Sequence, residues 1–508
     1  MACGIYFMVI ILIVLILIFA FLNKKQSYWQ RKNVFFIKPS ILFGNFYPVL
    51  TLKVFVGDWL KNLYDQAKNH DYFGIYVFAE PYLILKSPQI VKAVLQKDFA
   101  HFENRMVTAP DNEPLMSYFM FFMKSTYWKK IRSKVSPVFT SGKLKLMHPL
   151  VNKEAESMVD YLKSNCKPGR SIEVKEVCAK YSTGVIARCA FGVEANCFVN
   201  EESEFRRMSR ALFDLRFTNT VRQLMSWFTP TIVRLLRVYQ VDNWIVVRLE
   251  AILRHVISVR EQVASHKVID MIDLLLQIKR TPNEDEAFTD NKLLAQAMQF
   301  FTAGFETVSS TIAFLLYELA MNKDVQDRLR REIEENIERH GSITYEGIND
   351  IHYLDMCINE TLRKYPVLPF LDRRCTNDYT IPGTTTVIEK GTPVIIPMMG
   401  IHYDENYYPE PQKYDPQRFA DKSTLNNDGY NYFPFGEGPR ICIGERFGLL
   451  GVKLGIINLL SSFEVQKNID TPDPLEFDPG SVFLVSRVGV PLLFEPLNKR
   501  SSGKMVPK

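Results

Sequence analysis

The run Phe435-Gly436-Glu437-Gly438-Pro439-Arg440-Ile441-Cys442-Ile443-Gly444 constrains this chain more than any other stretch, because it presents one thiol to a ligand and leads at once into a helix. Gly438 and Gly444 let the backbone turn tightly and approach a flat ligand where a Cβ would collide. Ile443, Phe447, Leu449, Leu450 and Leu454 then recur at helical spacing, which sets the sulfur near a helix N-terminus. Orphan N–H groups and the positive end of the helix dipole favour a thiolate there, the form that ligates metal, so the thiol pKa is expected to fall. Arg440 brings a fixed cation within reach of a carboxylate on the same ligand. A lone cysteine in a loop is most often a buried thiol and nothing more. A pattern that also fixes Phe435, Gly438, Arg440 and Gly444 around it is much narrower.

From Asn291 to Asn322 apolar residues again recur at helical spacing, first Leu293, Leu294, Ala297, Met298 and Phe301, then Ile312, Leu315, Leu316 and Leu319. The segment predicts one long, mostly buried helix. In its middle Ala303-Gly304-Phe305-Glu306-Thr307 places small residues, an acid and a hydroxyl close together. Small residues let the backbone pass near a planar cofactor, and the Thr307 hydroxyl can bond back to the Ala303 carbonyl and open a groove.

Together these two segments resemble the cytochrome P-450 superfamily, in which a cysteine thiolate is the proximal ligand of haem iron. The resemblance implies Cys442 as the metal ligand, Phe435 and Arg440 as parts of the haem-binding loop, Thr307 as the residue that holds dioxygen and Glu306 as the proton supply. Glu306 stands where Asp is also common, which leaves its implied role intact. Trp128 and Arg132, four apart and so on one helix face, match the family's Trp-x-x-x-Arg pair and are expected at a haem propionate. Arg373 and Arg105 occupy matching positions, although Met106 to Pro110 depart from the family's glycine-containing stretch. Glu360 and Arg363, three apart on a helix, with Arg418, match a structural Glu-Arg-Arg triad; Gln417 stands where Glu is frequent.

The N-terminus carries a different signal. Met1 to Leu22 has no charged side chain and is rich in Ile, Leu, Val and Phe, and about twenty such residues span a bilayer core. Lys24, Lys25, Arg31 and Lys32 follow it, so the positive-inside rule leaves the rest of the chain in the cytoplasm. The division expected is a transmembrane helix at 1–22 and one cytosolic haem-thiolate catalytic domain at 23–508. That topology suits the endoplasmic-reticulum membrane.

Composition removes several rivals. Of 508 residues 47% are hydrophobic and 23% charged, enough for a large packed core. The eight cysteines lack paired spacing, which argues for reduced thiols rather than a disulfide framework. A net charge of +6 with basic residues in pairs at most gives nucleic-acid binding little support. Polar stretches at 165–171, 281–286 and 421–429 read as surface loops.

The fold implied by the resemblance is mainly α with small β-sheets (α+β), a helical triangular prism, with strands from about Phe73 to Lys86, Thr380 to Pro397 and the C-terminal region. The activity implied is that of a membrane-bound mono-oxygenase of the insect detoxification type. It would use haem b, dioxygen and NADPH electrons delivered by NADPH-cytochrome P-450 reductase, with cytochrome b5 as a second candidate donor. Its substrate would be an apolar small molecule, a xenobiotic or an endogenous lipid or hormone. The family's substrate-contact regions point to Phe119, Phe121, Phe300, Phe301 and Phe305, with 367–370 and 482–484, as pocket lining. Two rivals are a haem-thiolate peroxide isomerase or dehydratase, which needs no reductase, and a non-catalytic haem-binding membrane protein. Intact Glu306, Thr307 and Cys442 weigh against both.

Overall fold

The computed structural model describes residues 2–109, 112–262, 270–281, 288–421 and 430–497. Two of the expected loops, 281–286 and 421–429, therefore lie outside the described residues except for Thr281 and Asp421.

An apolar run from Ile5 to Leu22 makes most of the first helix, Ala2–Gln26, which runs past the expected end at Leu22 and takes in Lys24 and Lys25. The most apolar 18-residue window of its Ile5–Gln26 stretch has a mean hydropathy of 3.4 and is not buried in the protein. Among the described residues one other helix is long and apolar enough to span a bilayer, Asp290–Met321, and its most apolar window is 78% buried. The first is thus a candidate anchor and the second a core helix. The Gln26 side-chain amide, donating to the Ser40, Ile41 and Phe78 carbonyls, ties the end of the anchor to the body.

Asp290–Met321, the helix expected from Asn291 to Asn322, starts where the Thr289 hydroxyl accepts the Lys292 N–H. The main apolar core surrounds it. It packs against Val174–Phe191 and against Glu445–Leu460, the helix that follows Cys442. Gly304 serves the first contact: a Cβ there would come within 2.3 Å of Ile186 Cδ1. Its small size is therefore explained by helix packing, a correction to the expectation that it makes room for a cofactor. Gly455 serves the second contact, lying against Ile312 and Tyr181.

The largest sheet joins the hairpin Tyr72–Val77 and Glu80–Leu85 to Pro393–Ile396 and Leu371–Arg374. Leu83 pairs with Val394 in parallel, and Arg373 with Val394 in antiparallel register. These strands are buried on both faces, which is why apolar runs replace strict alternation. Leu371–Arg374 carries two charged residues, Asp372 and Arg373, into the interior. Small sheets of Tyr379–Thr380 with Val387–Ile388, and of Ile172–Glu173, Pro491–Pro496 and Phe463–Gln466, complete the mainly helical fold.

The Glu-Arg-Arg triad is assembled and buried. Glu360 accepts from Arg363 Nε at 2.7 Å and Nη2 at 2.9 Å, and Arg418 Nε stands 3.5 Å away. Arg363 also donates to the His402 and Pro411 carbonyls, so desolvation of the pair is offset by further hydrogen bonds. Burial pushes the Glu360 carboxyl up against the opposing pull of Arg363.

Candidate functional site

The cysteine loop is built from left-handed glycines. Gly436 and Gly438 have φ of +76° and +70°, and a Cβ on Gly438 would stand 1.9 Å from the Leu95 carbonyl oxygen. Gly444 has an ordinary φ of −90° and caps the helix Glu445–Leu460. Neither that φ nor the 4 Å of free space around a Cβ built there requires a glycine, which corrects the expectation that Gly444 tightens the turn. The Cys442 N–H donates to the carbonyl of half-buried Phe435 at 2.9 Å, which fixes the thiol's direction.

Cys442 retains accessible surface although protein encloses it, as a side chain facing an internal cleft does. Burial pushes its thiol pKa up; the Gly444 N–H and the charges of Arg132 and Arg105 pull the other way without prevailing. The expected fall of the thiol pKa is thus reversed in the protein alone, and a bound metal ion must displace the proton.

On the buried Asp290–Met321 helix, Ala303 and Thr307 are exposed. They form one stripe, four residues apart. Val308 lies 3.9 Å from a Cβ built on Gly448 and 3.5 Å from one on Gly451, so this part of the helix is clamped to the helix after Cys442. The Thr307 hydroxyl donates to the Ala303 carbonyl at 3.0 Å, as expected. Glu306 points elsewhere. It is buried, pairs with Lys175 Nζ at 2.8 Å and accepts from the Ser310 hydroxyl.

Four of the expected arginines crowd together. Arg373, 1% exposed, donates from Nη1 to the Asp372 carbonyl, and its Nε is buried without a partner. Arg105 pairs with Asp372 at 3.1 Å, lies over the Phe121 ring and also has an orphaned Nε. Arg440 donates to the Glu103, Met120 and Met123 carbonyls and stacks 4.4 Å from the Trp128 ring. Burial, then the charges of neighbouring arginines, push Arg373 and Arg440 down to about 9. Arg132 is also lowered by burial, with Cys442 opposing. Among the described residues Asp372 is the one carboxylate ion-paired with this group.

A haem group fits these donors. Its two carboxylates would neutralise an excess of buried positive charge and satisfy the orphaned Arg105 and Arg373 nitrogens, while Cys442 supplies the sulfur ligand. Bound in this way, haem supplies dioxygen activation, the sulfur pushing electron density towards iron and favouring O–O cleavage.

The expected pocket residues divide. Phe305 meets Phe213 and, through it, Phe483, and Phe121 meets Trp227. Phe301, against Phe191 and Phe205, and Phe300, against Phe139, are buried in the main apolar core. Phe119 is also buried, stacked on Phe122. Sequence reasoning missed Lys175, Asp372, Phe213 and Trp227. Asp372 carried the one available signal, a charge within a strand-like apolar run.

The loop, the exposed threonine on a buried helix and the arginine group define a haem-thiolate enzyme. The family model described as Cytochrome P450 matches residues 42–492, and the chain belongs to this family. It is 40% identical to Cytochrome P450 6k1 of Blattella germanica over 513 residues, covering 96% of each chain. Cytochrome P450 6j1 of the same organism is 37% identical over 95% of this chain and 96% of its own length. Probable cytochrome P450 6g2 of Drosophila melanogaster is 37% identical over 93% and 95%. The chain is therefore a mono-oxygenase with haem b as cofactor and dioxygen as co-substrate, of a family supplied with NADPH electrons by a reductase.

Proposed function

We propose that this enzyme inserts one oxygen atom into apolar small molecules, xenobiotics such as plant toxins or insecticides or endogenous lipids, on the cytoplasmic face of the endoplasmic reticulum. NADPH-cytochrome P-450 reductase is the electron donor, with cytochrome b5 as a second. The observation that carries the reading is the pairing of an enclosed, accessible Cys442 with an exposed Thr307 on an otherwise buried helix. Cys442 ligates iron, with Phe435 shaping its loop. Arg105, Trp128, Arg132, Arg373 and Arg440 hold the carboxylate edge of the cofactor. Arg440 acts mainly by fixing the loop that contains Met120 and Met123.

Thr307 holds a hydrogen bond ready at Oγ1, and Glu306 stores a proton site one residue away. Proton supply from Glu306 then depends on Lys175, because the carboxylate is held by that ammonium on the side away from Thr307. Two aromatic groups, Phe121 with Trp227 and Phe213 with Phe305 and Phe483, suit an apolar substrate. The test is turnover: full-length protein with reductase and NADPH should oxidise members of an apolar panel. NADPH consumption without any oxygenated product across that panel would reject the substrate class.

A further inference from the structure

Two cavities of about 440 and 560 Å³ share Thr108, Phe122, Met123, Lys124 and Arg234, and so form one trough. Its charge is one-sided. The described lining includes Arg105, Lys124, Arg234, Arg374, Lys390 and Lys292 and no carboxylate residue, although the whole chain has 62 basic and 56 acidic residues. Arg105 and Arg374 reach Asp372 and Glu80 outside the lining. Among the described residues no ion pair engages Lys124, Arg234 or Lys390. Beyond the cations the trough continues along apolar walls from Phe122, Tyr127 and Ile131.

Its position is equally informative. The short helix Pro230–Leu235 turns Pro230, Thr231 and Arg234 towards the trough, and Leu235 and Leu236 are 80% and 66% exposed on the outside. Phe228, just before that helix, meets Phe46 at 4.9 Å. Ile41 and Leu42, also exposed, lie in the same loop, whose Ile41 carbonyl receives Gln26 at the end of the anchor. A chain of contacts from Gln26 through the loop that holds Ile41 and Phe46 to Phe228 thus links the end of the anchor to the helix that borders the trough.

We propose that this trough binds an anionic phospholipid from the membrane that the anchor enters. The phosphate lies against Lys124, Arg234 and Lys390, and an acyl chain follows Phe122, Tyr127 and Ile131. An uncharged pocket would not select among headgroups; this one, lined by cations, favours negative charge. A fatty-acid carboxylate or free phosphate shares part of this chemistry, and the assay separates them.

Full-length, haem-loaded protein is placed in bilayer discs of mixed phosphatidate and phosphatidylcholine and extracted with uncharged detergent, and the lipid retained is measured by mass spectrometry. Phosphatidate should be enriched about tenfold over phosphatidylcholine, less at high salt. The combined change Lys124→Glu, Arg234→Glu and Lys390→Glu should remove the enrichment with the reduced carbon monoxide spectrum unchanged. Lys124→Ala with Arg234→Ala, a milder change, should lower it by a smaller factor if the triple variant folds poorly. Equal retention of both lipids, or enrichment that survives the variants, overturns the proposal. So does displacement of phosphatidate by inorganic phosphate, which marks a plain anion site, or by decanoate that is itself oxidised, which marks an entry path for acidic substrates.

Discussion

Acid should destabilise this protein through one histidine. His402 has no exposed surface; its Nδ1 lies 3.2 Å from the Arg363 carbonyl oxygen and its Nε2 3.4 Å from the Phe433 N–H. Those partners require a neutral ring, protonated on Nδ1 and accepting at Nε2. Burial first, then the Arg363 charge, push its pKa from 6.5 down to about 3. The unfolded chain therefore takes up a proton that the folded chain refuses. The contribution of this group is complete above about pH 6.5 and is lost as pH falls towards 3, at about 1.4 kcal/mol per unit. Between pH 6.5 and 5 the loss is about 2 kcal/mol, against a typical total of about 5–15 kcal/mol. The check is urea unfolding of native protein and His402→Gln at pH 7 and pH 5, followed by circular dichroism. Glutamine can donate to Arg363 and accept from Phe433, so it should cost about 1 kcal/mol at pH 7. At pH 5 the deficit should vanish or reverse. Parallel pH dependence in the two proteins would refute the claim that His402 is held neutral. The Phe433 carbonyl accepts the Gly436 N–H, so acid should loosen the Cys442 loop as well.

Cys442→Ala should abolish the strongly red-shifted Soret band of the reduced carbon monoxide complex, whereas Cys375→Ala, whose thiol is buried against the Asn377 carbonyl, should keep it; loss of the band in both assigns the effect to folding. Thr307→Ala should bind haem and substrate but release more hydrogen peroxide per NADPH consumed; unchanged coupling removes its hydroxyl from the reaction. Glu360→Gln leaves the fully buried Arg363 charge without its carboxylate and should cost about 3–5 kcal/mol in urea unfolding, whereas a cost below about 1 kcal/mol would mean a solvated pair. Deletion of residues 2–22 should convert the protein from carbonate-resistant to carbonate-extractable in microsomes, and undiminished resistance would reveal a second integral segment.

The fold's main helices were legible because their apolar spacing is local. Asp290–Met321 and Glu445–Leu460 each occupy the segment that their Leu, Ile and Phe positions predict. The Thr307 to Ala303 bond was legible for the same reason, since both atoms belong to one turn. What failed depended on partners distant in sequence. Gly304 looked like space for a cofactor, but Ile186, over a hundred positions earlier, fills that space. Glu306 was legible as an acid beside Thr307, but its ion pair with Lys175 was not. The thiol pKa was judged from the helix terminus alone, while burial by the whole chain outweighs that terminus.

The same distinction explains why the expected place of the arginines at a haem propionate came from resemblance, one residue at a time, and not from their spacing. Arg105, Arg132, Arg373 and Arg440 come from separate segments, and each alone could be a surface cation. Folding sets Arg105, Arg373 and Arg440 near one carboxylate, Asp372, with Arg132 beside Cys442, and leaves two Nε atoms without partners. Such an arrangement is unfavourable for the protein by itself, because buried charge without a counter-charge costs several kcal/mol. It becomes favourable when an anionic cofactor completes it. Haem retention should therefore contribute to stability through these arginines as well as through the sulfur, by mass action on the folded state.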